Sequence, residues 1–269
     1  MEPFYSYYIR SGWEERAEEP ADIGARFLKT LDALSSIDPI FADWQVIDAR
    51  NLSMFSLGAV RSRIVSVIED NIARDDFDEP DPVYGYRAHA LSGEFRDSRS
   101  VSFNVHAGAK RECGTKLEFA DWDVAPDPAI VTYPRFKAAL LAINAIWRAP
   151  WACAQAFRSG NVAVPFDLGG VQAFRIDGVQ SVPLDPTFPY SIFHIPWIAY
   201  LSAPLAAGVN LPPEILPERT PDGGLLMTAT KERLDPDNPE HARRARMLAE
   251  TLIKRTGYSS DYGRPVRNA

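Results

Sequence analysis

The hydrophobic positions of this chain recur at changing intervals, and each interval predicts a different element. Phe4-Tyr-Ser-Tyr-Tyr-Ile9 is dense in aromatic and β-branched residues and predicts a strand that Gly12 ends. From about Pro20 the spacing becomes helical, with Phe27, Leu28, Leu31 and Leu34 on one side and Asp22 placed to cap it. Asp38-Pro39 stops that helix, and 44–47 predicts a short strand. Helical spacing returns over 57–72 through Val60, Ile64, Val67, Ile68 and Ile72. Segments 84–91 and 100–106 then predict strands. The second alternates strictly, with Val101, Phe103 and Val105 against Ser102, Asn104 and His106. A third strand over 117–122 would complete an antiparallel meander.

Residues 136–147 are apolar enough for a buried helix, and 160–189 is rich in loop residues. Segment 190–201 is aromatic and β-branched but carries Pro196, which predicts an edge strand or bulge. Gly223-Gly224 introduces a strand over 225–229. Asn238-Pro239-Glu240 starts a last helix whose buried stripe is Ala245, Leu248, Ala249, Leu252 and Ile253. Lys254 and Arg255 favour its C-terminal end, and Gly257 closes it. This mixed order of strands and helices predicts an α+β fold with a largely antiparallel sheet. The expected organisation is one domain over 1–257, divisible into lobes of about 1–125 and 130–257 by the proline-containing 123–134 segment, with a polar tail at 258–269.

Composition narrows the function. The chain has 269 residues, 46% hydrophobic and 24% charged, enough for a substantial core. Its net charge of -7 argues against a general nucleic-acid binder. Residues 1–130 hold 24 acids and 14 bases, a balance of -10, whereas 131–269 hold 12 acids and 15 bases. Cys113 and Cys153 show no paired spacing, residues 1–10 show no signal-peptide pattern, and no apolar run approaches ~18 residues. A cytoplasmic protein is expected.

Catalytic patterns are missing. His89, His106, His194 and His241 lie far apart in sequence, without HExxH spacing, and neither a GxSxG elbow nor a phosphate loop occurs. Asp235-Pro-Asp237-Asn238 opens like a calcium loop, but Glu240 and Arg246 stand where glycine and glutamate are required. No catalytic, cofactor-binding or metal-binding residue is assigned. The six tryptophans suit core anchors better than partner anchors. The acidic segment Asp75, Asp76, Phe77, Asp78, Glu79 and Asp81 has two readings. One is a solvated loop; the other is a recognition loop that steers toward a basic partner around an apolar Phe77.

Two sets of residues carry a family resemblance. Gly12-Trp13-Glu-Glu-Arg16-Ala-Glu18, then Ala25-Arg26-Phe-Leu28, Leu31, Leu34, Asp38-Pro39 and Trp44, form the first. Gly223-Gly224, Thr228-Ala-Thr230 and Asp235-Pro-Asp-Asn-Pro239-Glu-His241 form the second. Together they resemble the Imm52 family of bacterial immunity proteins, through about Leu252. The resemblance implies a non-enzymatic antidote to a polymorphic toxin, including effectors of type VI secretion systems, typically a Tox-REase-5 nuclease. It implies a cognate toxin as partner and no cofactor. The contrasting readings are an uncharacterised enzyme, which requires a pocket of converging polar groups, and a non-catalytic scaffold.

Overall fold

The computed structural model describes residues 4–48, 53–74, 77, 79–81, 83, 85–109, 113–120, 124–159, 166–167, 172–176, 179–181 and 195–256. The elements begin with β1 (Phe4–Trp13), α1 (Pro20–Ser35), β2 (Trp44–Asp48), β3 (Ser53–Ser56), α2 (Leu57–Val60) and α3 (Ile64–Asp70). They continue with β4 (Tyr86–Ser92), β5 (Val101–Ala107), β6 (Cys113–Phe119), α4 (Tyr133–Trp147) and β7 (Trp151–Ser159). Short strands β8 (Phe166–Asp167), β9 (Gln172–Ile176) and β10 (Val179–Ser181) precede β11 (Ile195–Leu201) and α5 (Ala203–Ala206). Last come β12 (Leu216–Arg219), β13 (Leu225–Thr228) and α6 (Pro239–Thr256). The fold is α+β, built on a ten-stranded sheet of order β12-β13-β11-β7-β1-β6-β5-β4-β2-β3. Each pairing followed residue by residue is antiparallel.

The chain divides into two compact units, Tyr7–Ala154 and Met1–Ser6 with Gln155–Ala269. The boundary falls inside β7 and not in the 123–134 segment. The described part of that segment folds into the first unit: Asp127 accepts the Ala129 N–H at 2.9 Å, and Ile130 and Val131 are buried.

In the Tyr7–Ala154 unit, helices cover one sheet face through aromatic contacts. Phe27 of α1 stacks on Phe103 of β5 at 5.8 Å, and Phe136 of α4 stacks on Phe119 of β6 at 4.2 Å. Glycine lets α1 approach α3 closely, because a Cβ at Gly24 would lie 3.3 Å from Ile64. The expected 57–72 helix is broken into α2, a 3-10 turn over Arg61–Arg63, and α3. Its apolar repeat survives the break, since Val60, Ile64, Val67 and Ile68 are all buried. Gly12 does not end β1. It pairs with Gly114, where a Cβ would come within 2.5 Å of the Ser11 carbonyl, so small residues meet across these strands. The third meander strand begins earlier than expected, at Cys113, so that Trp13 pairs with Cys113. Glu19, not Asp22, occupies the α1 N-cap, with Pro20 at the first helical position.

An ionic knot joins the end of β1 to α1 and α4. The Glu18 side chain is only 3% exposed, and its Oε1 takes Arg16 at 2.9 Å and Arg26 more closely. These contacts lack hydrogen-bond alignment, so their attraction is chiefly coulombic. Each guanidinium also lies over an indole, Arg16 at 4.9 Å from Trp13 and Arg26 at 5.0 Å from Trp147. The two indoles stack at 5.5 Å, and Trp147 Nε1 donates to Thr30 Oγ1 at 2.9 Å. Farther along, Arg135 of α4 donates to Asp38 Oδ2 at 2.6 Å. Burial raises the Asp38 pKa, but the Ile40 N–H and Arg135 outweigh it and hold the group below its ordinary value.

In the other unit, β11 is an interior strand between β13 and β7, and all seven of its residues are buried. Pro196 is tolerated because register with β13 begins only at Ile198, past the missing N–H. The exposed β12 edge carries Pro217 and charged residues instead. Tyr200 donates to Asp222 Oδ2 at 2.6 Å, and a Cβ at Gly224 would strike the Tyr200 ring at 2.5 Å. The expected α6 cap is present: Asn238 Oδ1 accepts the Glu240 N–H at 2.9 Å. Residues 258–269 lie outside the described residues.

Glu18→Gln should remove the charge that two guanidiniums share. The expected loss is roughly 2–4 kcal/mol in urea unfolding, moderated because part of the Arg16 side chain remains in solvent. A change below about 0.5 kcal/mol would contradict this account of the knot.

Candidate partner-binding loop

The acidic segment connects α3 to β4, and backbone hydrogen bonds clamp both of its limbs. Ala73 N donates to the Gly85 carbonyl at 2.9 Å, and Asp81 N donates to the Ala73 carbonyl at 2.7 Å. Isolated bridges join Ile72 to Tyr86 and Arg74 to Pro80. Asn71 adds a tie through Nδ2 to the Ile47 carbonyl at 3.2 Å. Gly85 is required at the base: its φ is +64°, and a Cβ there would lie 2.5 Å from the Ala107 carbonyl.

The clamp leaves Phe77 85% exposed, the most exposed large apolar side chain among the described residues. Glu79 is exposed beside it. Asp81 belongs to the loop's own framework, since its Oδ1 accepts the Val83 N–H at 2.8 Å and the residue is half-buried. Asp75, Asp76 and Asp78 lie outside the described residues. A phenylalanine held in water on a braced loop suits recognition, because covering it would contribute about 1.5–3 kcal/mol.

Cys113 and Cys153 are buried, and burial pushes the Cys113 thiol up. His241 accepts the Asp235 N–H on Nδ1 at 3.2 Å, so the segment that begins like a calcium loop folds as a helix cap. His194 lies outside the described residues. Among the described residues no three His, Cys, Asp or Glu side chains converge as a metal site, and no helix is long and apolar enough to cross a membrane. Trp13, Trp44, Trp147 and Trp197 are buried core residues, and Trp151 is half-buried. Trp122 lies outside the described residues.

A second exposed phenylalanine escaped sequence reasoning. Phe95 is 68% exposed at the β4–β5 turn, with the Arg96 guanidinium 5.4 Å from its ring. Asp97 braces the turn by accepting the Arg99 N–H at 2.6 Å. The available signal was Gly93 and Asp97 flanking an aromatic residue in a predicted hairpin.

No protein-family profile matches this sequence, and no curated protein does. Among solved structures, the fold is similar to that of a Pseudomonas aeruginosa T6SS protein, PA0821, with a TM-score of 0.52. Identity is 12%, and the alignment covers 96% of this chain and 80% of that one. At this identity the likeness concerns fold.

Two outcomes follow from the local geometry. Gly85→Ala should loosen the loop base and speed amide exchange across 73–85; unchanged exchange would remove Gly85 from the clamp. Burial also holds His89 below its ordinary 6.5, so acidification protonates the unfolded chain before the folded one. Stability should therefore fall as pH drops below about 6.5, and less so in His89→Gln. Urea unfolding at pH 7 and 5.5 reads the difference, and equal losses in both proteins would contradict it.

Proposed function

We propose that this chain is a non-enzymatic antidote that binds and neutralises a cognate secreted toxin in the cytoplasm of the producing cell. The observation that supports this most is the likeness in fold to a T6SS protein of Pseudomonas aeruginosa. The Imm52-like motifs point the same way, and the partner they favour is a nuclease of the Tox-REase-5 class.

The braced loop supplies a physical means. A nuclease that holds phosphates presents cationic groups, and an acidic loop raises the encounter rate with such a surface. Phe77 then adds apolar contact after encounter. Inhibition by binding requires no catalytic residue of its own.

The test is co-expression with the toxin encoded beside the gene. Rescue of growth and co-purification are expected, and failure of both would end the reading. Replacing Asp75, Asp76, Asp78 and Asp81 by Asn and Glu79 by Gln should slow association by about tenfold and flatten its salt dependence. Unchanged association kinetics would reject the loop as the steering element.

A further inference from the structure

The ten-stranded sheet ends in an edge strand on each side, and the two edges differ. At one end β12 carries Pro217, Glu218 and Arg219, a composition that blunts pairing with a foreign strand. At the other end β3 reads Ser-Met-Phe-Ser, with neither proline nor charge, and none of its four residues is buried. Both strands are four residues long, so composition and not length separates them.

Strand register shows which backbone groups of β3 are left over. β4 pairs with β5 on one side, so residues 71–73 line up along its other side, beyond the end of β2. There the Arg87 N–H donates to the Asn71 carbonyl at 3.2 Å, and the Ala73 N–H to the Gly85 carbonyl at 2.9 Å. Odd-numbered residues of β4 therefore turn their backbone groups toward β2, and His89 bonds its partner Ile47. Asn71 Nδ2 meets the Ile47 carbonyl on that same side, at 3.2 Å. Because a ladder residue turns both groups one way, Ile47 has none left for Met54, its partner on β3. Met54 thus directs its N–H and C=O out of the sheet edge, and its side chain is 44% exposed. Phe55, one residue on, bonds Val46, and the Arg63 guanidinium lies 4.0 Å from its ring. Arg63 is exposed and makes no ion pair among the described residues.

We propose that β3 is the docking edge for an extended segment of the toxin, which adds to the sheet as a further strand; the inference rests on the antidote reading above. The backbone selects the occupant, because an incoming strand satisfies the free N–H and C=O of Met54 together. Met54 and Phe55 stand on opposite faces, so successive residues of that segment meet different chemistry. An apolar side chain fits beside Met54, and a carboxylate fits beside Arg63. A second copy of this chain fits less well. Antiparallel self-pairing of β3 would bring two Arg63 guanidiniums to one seam, between chains that each carry a net charge of -7. Asn71 ties the base of the acidic loop to β2, the strand behind this edge, so loop and edge are neighbours.

Amide exchange of the full chain, alone and with the purified product of the adjacent toxin gene, tests the assignment. In the free chain the Met54 amide should exchange fast and the Phe55 amide slowly, as their ladder positions dictate. Complex formation should slow Met54 by about 100-fold and leave Phe55 slow in both states. Met54→Pro removes the outward donor and keeps the bonds to β2, so it should retain the melting temperature and weaken binding about 50-fold. Met54→Ala keeps that donor and should weaken binding no more than about fivefold. Arg63→Glu leaves the backbone untouched and should weaken it about tenfold. Unchanged Met54 exchange in a complex that does form overturns the docking edge and leaves the antidote reading standing. If wild type itself does not bind, the antidote reading fails and takes the inference with it. Dimers of the chain alone that Met54→Pro dissociates would assign the edge to a second copy and overturn the proposal.

Discussion

Glu18, held between Arg16 and Arg26, is the interaction on which the Tyr7–Ala154 unit turns. It lies in the link between β1 and α1, and both guanidiniums rest on indoles, one at the end of β1 and one at the end of α4. A carboxylate this buried requires its cations, and the cations in turn fix where α1 and α4 cross the sheet. The aromatic contacts of Phe27 and Phe136 with the sheet depend on that placement.

This explains what the recognisable motifs do. Trp13, Arg16, Glu18 and Arg26 build the knot, while Gly224 packs beneath Tyr200 and Asn238 caps α6. These residues hold the framework. In the proposed antidote, recognition falls to exposed side chains around them, such as Phe77.

Much of the fold was legible because its signals are local. The alternation of Val101, Phe103 and Val105 set the inner face of β5, and Asn238-Pro239 set the start of α6. Where register decided, local reading failed. Pro196 suggested an edge, yet β11 is interior because its pairing with β13 begins two residues later. β7, with the sequence WACAQAFRS, has weak strand propensity, and its place follows from neighbouring strands. The candidate loop stood out by composition, but the backbone clamps at its base emerge only when residues 71–74 meet residues 80–86.

Hydroxyl-radical footprinting of the chain alone and with its toxin tests the account most directly, because its key side chains are themselves reactive probes. Phe77 is exposed, and Phe95 stands beyond the other end of β4. The account predicts that complex formation protects Phe77 while Phe95 keeps its reactivity. Equal oxidation of Phe77 with and without bound toxin would contradict it.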